Sequence, residues 1–251
     1  MKKAFDLIVR RTGKAIGDFK MIEGGDKVAV GISGGKDSLT LYLALRELQR
    51  KAKEKYKIVP VYLSMNNEPP KKDLSDFFEN LGEKLTWFKS DIEITVKKMM
   101  AENPKEDMPC RLCSRFRRAV LYERIKEIGC NKLALGHHMD DMVETFVMNM
   151  FFAGKISGMP AVAQSEKHPI LLIRPMCYIQ EELIIEFVNS GEIKFPTDTT
   201  CELLGDKISM RDKVKELINE LKKKDKRVLH NAFTALKKYN FFHDYSKGVK
   251  D

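Results

Sequence analysis

Long apolar runs are missing from this chain of 251 residues. None approaches the roughly 18 residues that a membrane helix needs, and the N-terminal stretch lacks the apolar core of a signal peptide. A cytoplasmic protein without membrane association is therefore expected. Cysteine is scarce, five residues in all. An odd number in a chain without export signals argues against a disulfide framework and toward metal or redox chemistry. No internal repeat or low-complexity tract is present. Acidic charge is the minority sign: 45 Lys and Arg stand against 36 Asp and Glu, a net +9. That balance favours a polyanionic partner through phosphate neutralisation, or serves plain solubility. What remains is enough chain to bury a real core, as one large domain or a domain with appendages.

The hydrophobic pattern alternates. Residues 4–20 place Phe5, Ile8, Val9, Thr12, Ile16 and Phe19 at helical spacing, with Lys2, Lys3, Arg10, Arg11 and Lys14 elsewhere on the surface. Buried-strand patterns follow in "KVAVGIS", "VPVYLSM", "KLTWFKS", "KLALGHH" and "ILLIRPM", separated by helical segments at 37–54, 71–82, 91–102, 112–129 and 139–152. Alternation of this kind predicts an α/β fold, a doubly wound, mainly parallel sheet of five strands. Beyond Pro175 the pattern turns helical, so the expected organisation is a basic amphipathic helix in 1–24, an α/β domain in 25–178 and a helical C-terminal region in 179–251. "NNEPPKKD" and "SGMPAVAQSEKHP" read as loops. "KKKDKR" at 222–227 reads as a solvated helix surface or as a guide for a nucleic-acid backbone.

In such sheets ligands bind at the carboxyl ends of the strands, and "SGGKDS" and "GHHMDD" each follow a strand directly. Ser33, Gly34, Gly35, Lys36, Asp37 and Ser38 form a glycine turn between strand and helix, which aims backbone N–H groups and the positive helix end at one point. The pattern G-x-x-x-x-G-K-[ST] is not met, because Val30 stands at the first glycine and Asp37 at the Ser/Thr position. A carboxylate inside a phosphate cradle calls for a bridging divalent cation, so Asp37 implies Mg²⁺. In the second segment Asp140 and Glu144 stand one helical turn apart, with Asp141 sharing a face with Glu144 and Thr145. These carboxylates serve cation or ribose contacts, or are simply acids favoured at a helix N-terminus.

"MPCRLCSRFRRAVLYE" sets Cys110 and Cys113 in a C-x-x-C pair ahead of a helix. The pair chelates one metal or cluster. Zinc normally wants four ligands and no second C-x-x-C or H-x-x-x-H is present, although His137, His138, Cys201 or a carboxylate remain open as partners. Cys201 lies in a polar loop, where an exposed thiol is expected. Cys130 and Cys177 sit in apolar surroundings and read as core.

"SGGKDS" resembles the signature of the PP-loop ATP pyrophosphatases, and "LGHHMDDMVET" fits the second motif of their tRNA-modifying members. "CRLCSRFRRAVLY" is very similar to a stretch of the TtcA family, the tRNA 2-thiocytidine synthetases of that class. The likeness extends through "GHHMDD", "IRPM", a late cysteine loop and "ALKKYNFFHD". It implies a PP-loop, HUP-like fold, with ATP held by Ser33, Gly34, Gly35, Lys36, Asp37 and Ser38 and by Gly136, His137, Asp140 and Asp141. Lys36, Asp37, Cys110, Cys113 and Cys201 would be catalytic, with Mg²⁺ on Asp37 and a 4Fe-4S cluster on the three cysteines. Arg115, Arg117 and Arg118 would meet RNA. The implied partners are a tRNA presenting an unstacked base and a sulfur donor (a cysteine desulfurase or free sulfide); monomer and homodimer are both left open by the sequence. The implied reaction adenylates the oxygen on carbon 2 of a pyrimidine, most readily cytidine, and replaces it with sulfur. One position departs from the family, whose late loop usually carries its own C-x-x-C: here Leu204 stands where the second cysteine would be. Two other classes are weighed beside this one. They are a PP-loop ligase or amidotransferase acting on a small molecule or another base, and a non-catalytic, zinc-stabilised RNA-binding protein.

Overall fold

The computed structural model describes residues 2–102, 109–165, 167–196 and 209–239. Helix α1 (Lys2–Asp18) leads into β1 (Lys27–Ile32), α2 (Lys36–Lys51), β2 (Lys57–Leu63), α3 (Lys72–Asn80), β3 (Thr86–Phe88) and α4 (Ile92–Glu102). Then come α5 (Pro109–Glu127), β4 (Lys132–Ala134), α6 (Met139–Phe152), β5 (Val162–Gln164) and β6 (Leu171–Ile173), followed by α7 (Glu181–Asn189), α8 (Met210–Lys224) and α9 (Val228–Lys238). The strands form one sheet in the order β3-β2-β1-β4-β6-β5. Every pairing is parallel except the antiparallel β5–β6 edge.

The sheet is covered on both faces, and β1 shows why its sequence is apolar throughout. Successive side chains point to opposite faces: Val28, Val30 and Ile32 join one core, while Ala29 joins the other with Val61, Leu63, Leu133 and Leu172. Strands buried on two faces read as continuous apolar runs. Helices α4 and α5 cover the second face through Ile92, Val96, Leu121 and Ile125. The first face is larger and includes Ile8 of α1, Leu41 of α2, Phe78 of α3, Phe187 of α7, Ile218 of α8 and Phe233 of α9. The leading helix is thus packed into the core, where Phe5 stacks on Phe187 at 4.8 Å between ring centroids. It ends before Lys20, whose φ of 48° breaks the helical run. Cys130 and Cys177 are buried in these cores, as their apolar surroundings suggest.

The sheet has six strands where five were expected. The addition, β5, falls within the stretch read as a loop. Flanking Gly158, Pro160 and Pro169 give the segment the texture of a turn, and its residues are only partly buried.

At the amino end of the sheet, Asp26 and Lys132 form a buried ion pair at 2.6 Å. Asn131 Nδ2 donates to Asp26 Oδ1 at 2.7 Å and the Glu23 amide donates to Oδ2 at 2.6 Å. This satisfied network clamps the starts of β1 and β4 and directs no open polar group outward. The cleft lies at the other end.

Candidate active site

At the carboxyl ends of β1, β4 and β6 a cleft of about 620 Å³ opens between the sheet and α5. Its lining combines Gly31, Ile32, Ser33, Asp37 and Ser38 with Leu135, Gly136, His137, Asp141 and Thr145. Helix α5 adds Ser114, Arg117, Arg118 and Leu121, and Arg174 and Arg211 complete the charged part. The two glycine-bearing motifs therefore share one crevice. Gly136 shows how closely they meet: a Cβ there would lie 3.0 Å from the backbone carbonyl of Asp37 and the amide nitrogen of Ser38. Only glycine allows that approach without displacing the loop.

The turn after β1 is held by its own serines. The Ser33 amide donates to Ser38 Oγ at 3.1 Å, the Gly35 amide to Ser33 Oγ at 3.3 Å, and Ser38 Oγ donates to the Gly35 carbonyl at 2.9 Å. Gly34 adopts φ +90°, a conformation that L side chains resist. Helix α2 then starts at Lys36 with no side-chain cap on its first amides. Uncapped N–H groups and the positive helix end form an anion site, which fits a polyphosphate.

Asp37 Oδ1 is buried and has no hydrogen-bond partner among the described residues. Burial raises the Asp37 pKa, against the pull of His138 and Lys36. An orphaned carboxylate oxygen beside a phosphate cradle suits a hard divalent cation. Lys36 reaches Asp37 at 3.3 Å and Glu181 at 3.0 Å, and the second Glu181 oxygen holds Lys215 at 2.7 Å. These lysines win against burial and lower the Glu181 pKa. The ammonium of Lys36 is thereby held by a carboxylate from the start of α7.

The adjacent histidines differ in charge. Burial and then Arg174 push His137 down to about 3, so it is neutral, and its Nδ1 has no partner among the described residues. Burial opposes charge on His138 as well, but the Asp140 contact and the Asp141 and Asp37 carboxylates outweigh it and raise its pKa to about 9. Asp141 accepts the His138 amide at 3.0 Å and pairs with Arg211 at 2.8 Å. Arg211 also meets Glu144 at 3.2 Å and Thr145 Oγ1 at 3.2 Å, which ties α8 to α6. Asp140 acts behind the cleft, where its Oδ2 accepts the Glu181 amide at 2.8 Å and so fixes the start of α7.

The expected residues thus divide. Ser33, Asp37, Ser38, Gly136, His137, Asp141, Arg117 and Arg118 line the cleft. Gly34, Gly35 and Lys36 belong to the glycine turn after β1 without lining the cleft, Asp140 supports the start of α7, and Arg115 is exposed elsewhere on α5. Cys110 and Cys113 occupy the first turn of α5, one helical step from Ser114 and Arg117. Cys110 is exposed and Cys113 half-buried. Cys201 lies outside the described residues, as does Leu204. Among the described residues no group of three or more His, Cys, Asp or Glu side chains is arranged to hold a metal. Sequence reading missed Arg174, Glu181, Arg211 and Lys215. Arg174 had a signal, since it follows the β6 strand as the motifs follow β1 and β4; the others are joined to the site by contacts far along the chain. In the run 222–227, Lys222 pairs with Glu182 at 2.7 Å and Arg227 with Asp225 at 3.0 Å.

Residues 7–221 match the PP-loop domain family. The chain is similar to the tRNA-cytidine(32) 2-sulfurtransferase of Cupriavidus taiwanensis, with 39% identity over 229 residues that cover 90% of the chain and 72% of the relative. The enzyme of the same name from Acidovorax ebreus is 40% identical over 219 residues, covering 86% of the chain and 67% of that protein. Among solved structures, the U34-tRNA thiolase NcsA of Methanococcus maripaludis, determined with its 4Fe-4S cluster, superposes with a TM-score of 0.77 at 22% identity over 100% of the chain and 84% of the thiolase. At that identity the likeness speaks for the fold. None of the described helices is long and apolar enough to cross a membrane. Similarity running through nine-tenths of the sequence, 90% in the first relative, makes this chain a member of the TtcA family, the tRNA 2-thiocytidine synthetases among the PP-loop ATP pyrophosphatases.

Proposed function

We propose that the protein is an ATP-dependent tRNA sulfurtransferase that converts a cytidine to 2-thiocytidine. The observation that carries this reading is the sharing of one cleft by the Ser33–Ser38 turn, the second motif and the helix that begins with Cys110 and Cys113. The α2 amides and the Ser33–Ser38 turn take the β- and γ-phosphates, and Lys36 neutralises the charge that grows on pyrophosphate as it leaves. Asp37 would hold Mg²⁺, which would supply positive charge against the growing negative charge of the phosphates. The oxygen on carbon 2 of the base attacks the α-phosphate and becomes part of an adenylate, a far better leaving group than an amide oxygen. Cys110, Cys113 and Cys201 would be the thiolate ligands of a 4Fe-4S cluster, which would supply the sulfur for carbon 2 as AMP departs.

Arg115, Arg117 and Arg118 stand on the same helix as the cysteine pair, suited to RNA phosphates. The base must come from an unpaired loop, because pairing hides its carbon 2 edge. The sulfur donor is a cysteine desulfurase or free sulfide, and the protein works in the cytoplasm. Anaerobic purification with iron, sulfide and zinc analysis tests the reading, followed by mass spectrometry of nucleosides from a deletion strain. Brown protein and a missing 2-thiocytidine are expected. Tightly bound zinc without iron, or an unchanged nucleoside profile, would overturn it. Activity that survives Cys110→Ala in colourless protein would favour a cluster-free ligase.

A further inference from the structure

Arg174 follows β6 and lines the cleft, yet only 4% of it is exposed. Nη1 donates to the carbonyl of Pro160, while Nε has no partner among the described residues. No carboxylate among the described residues forms an ion pair with it, in contrast to Arg211, which has both Asp141 and Glu144. The charge that acts on it most is another cation, Arg118, whose Nε donates to the Ser114 carbonyl and which lines the same cleft; Asp141 acts more weakly from the cleft wall and forms no ion pair with it. Burial first and Arg118 second lower the Arg174 pKa to about 10. An unpaired buried guanidinium is costly, and the cost is removed when an anion enters. The guanidinium fork matches two oxygens of a phosphoryl group, which a lysine does not.

The phosphate turn stands at the end of β1, and β4 lies between β1 and β6. Two strand spacings amount to roughly 10 Å. A pyrophosphate seated on Ser33–Ser38 therefore leaves Arg174 available for a different anion. We propose that Arg174, assisted by Arg118, is a second phosphoryl-binding group of the cleft, separate from the pyrophosphate turn. The inference rests on the reading of Ser33–Ser38 as that turn. Two sources of the anion share this chemistry: the α-phosphate of ATP, which stays with the adenylate, and an RNA phosphodiester beside the target base.

Arg174→Met in the full chain, purified anaerobically, tests the assignment with ATP alone and with a tRNA transcript alone. If Arg174 serves a ligand, removing the unpaired charge leaves the melting temperature within about 4 °C of wild type or raises it. Affinity for one of the two ligands falls by about tenfold or more. Loss confined to ATP identifies the α-phosphate. Loss confined to tRNA, with the salt dependence reduced by about one phosphate contact, identifies the phosphodiester. Unchanged affinity for both, or a large fall in melting temperature with affinity intact in the folded fraction, overturns the proposal. Should the methionine variant fail to fold, Arg174→Lys keeps the charge without the fork and is expected to lose affinity for that same ligand; wild-type binding of both refutes it. Lys36→Ala separates the two readings. If Lys36→Ala leaves AMP release intact while Arg174→Met lowers binding, the pyrophosphate turn is misassigned and the Arg174 site still stands.

Discussion

The two ends of the same parallel sheet treat buried charge in opposite ways. At the amino end, Asp26 and Lys132 are paired at 2.6 Å, and the remaining Asp26 contacts come from Asn131 and the Glu23 amide. At the carboxyl end, Asp37 Oδ1, His137 Nδ1 and Arg174 Nε are buried without partners among the described residues. A satisfied pair fixes structure; polar atoms kept dry and unpaired await a ligand that completes them. Stability should therefore depend on the first end and chemistry on the second.

Lys132→Met should break the comparison most forcibly, costing about 3–5 kcal/mol because it strands a buried carboxylate, measured by chemical denaturation. A loss under about 1 kcal/mol would mean that the amino end is not the clamp inferred from its hydrogen bonds. Lys36→Ala should do the reverse, lowering AMP release by about 10²- to 10³-fold while the melting temperature barely moves. Intact turnover in that variant removes the phosphate turn from the mechanism. Gly136→Ala pushes a Cβ into the Asp37 and Ser38 backbone, 3.0 Å away. A drop of about 10²-fold in kcat/KM is expected from the displaced turn; wild-type kinetics would show that the two motifs need not touch.

The smallest effect concerns acid. Burial raises the Asp26 pKa, but Lys132, the Glu23 amide and Asn131 together lower it below its ordinary 3.8. Its contribution is full above that ordinary value and is lost as pH falls through the depressed one. Unfolding free energy followed from pH 7 downward should fall more steeply in wild type than in Asp26→Asn. Parallel curves would place the acid sensitivity elsewhere.

Five of the six strands were legible as short apolar runs, most plainly where a strand is buried on two faces, as Val28–Ile32 is. Val162–Gln164 was not, since glycine and prolines surround it and its conformation comes from antiparallel pairing with β6 and not from an apolar run of its own. In the cleft, the residues that follow β1 and β4 were legible from glycine chemistry after a strand. Arg174 occupied the equivalent place after β6 but lacked glycines to mark it, and nothing in "IRPM" announces that its guanidinium is buried and unpaired. Glu181 is 145 residues from the lysine it holds. No local pattern carries information over that distance.

The sequence by itself determined the kinds and order of the elements and the strand ends at which the glycine-bearing motifs sit, because those depend on side-chain periodicity and local backbone freedom. Tertiary structure alone decided that Arg117 and Arg118 face the cleft while Arg115 does not, that Asp140 supports α7 and does not line the site, and that Lys36 is held by Glu181. The rotation of α5 and the placement of α7 follow from filling two cores at once, on opposite faces of one sheet, and that sum over the whole molecule is not contained in any one segment.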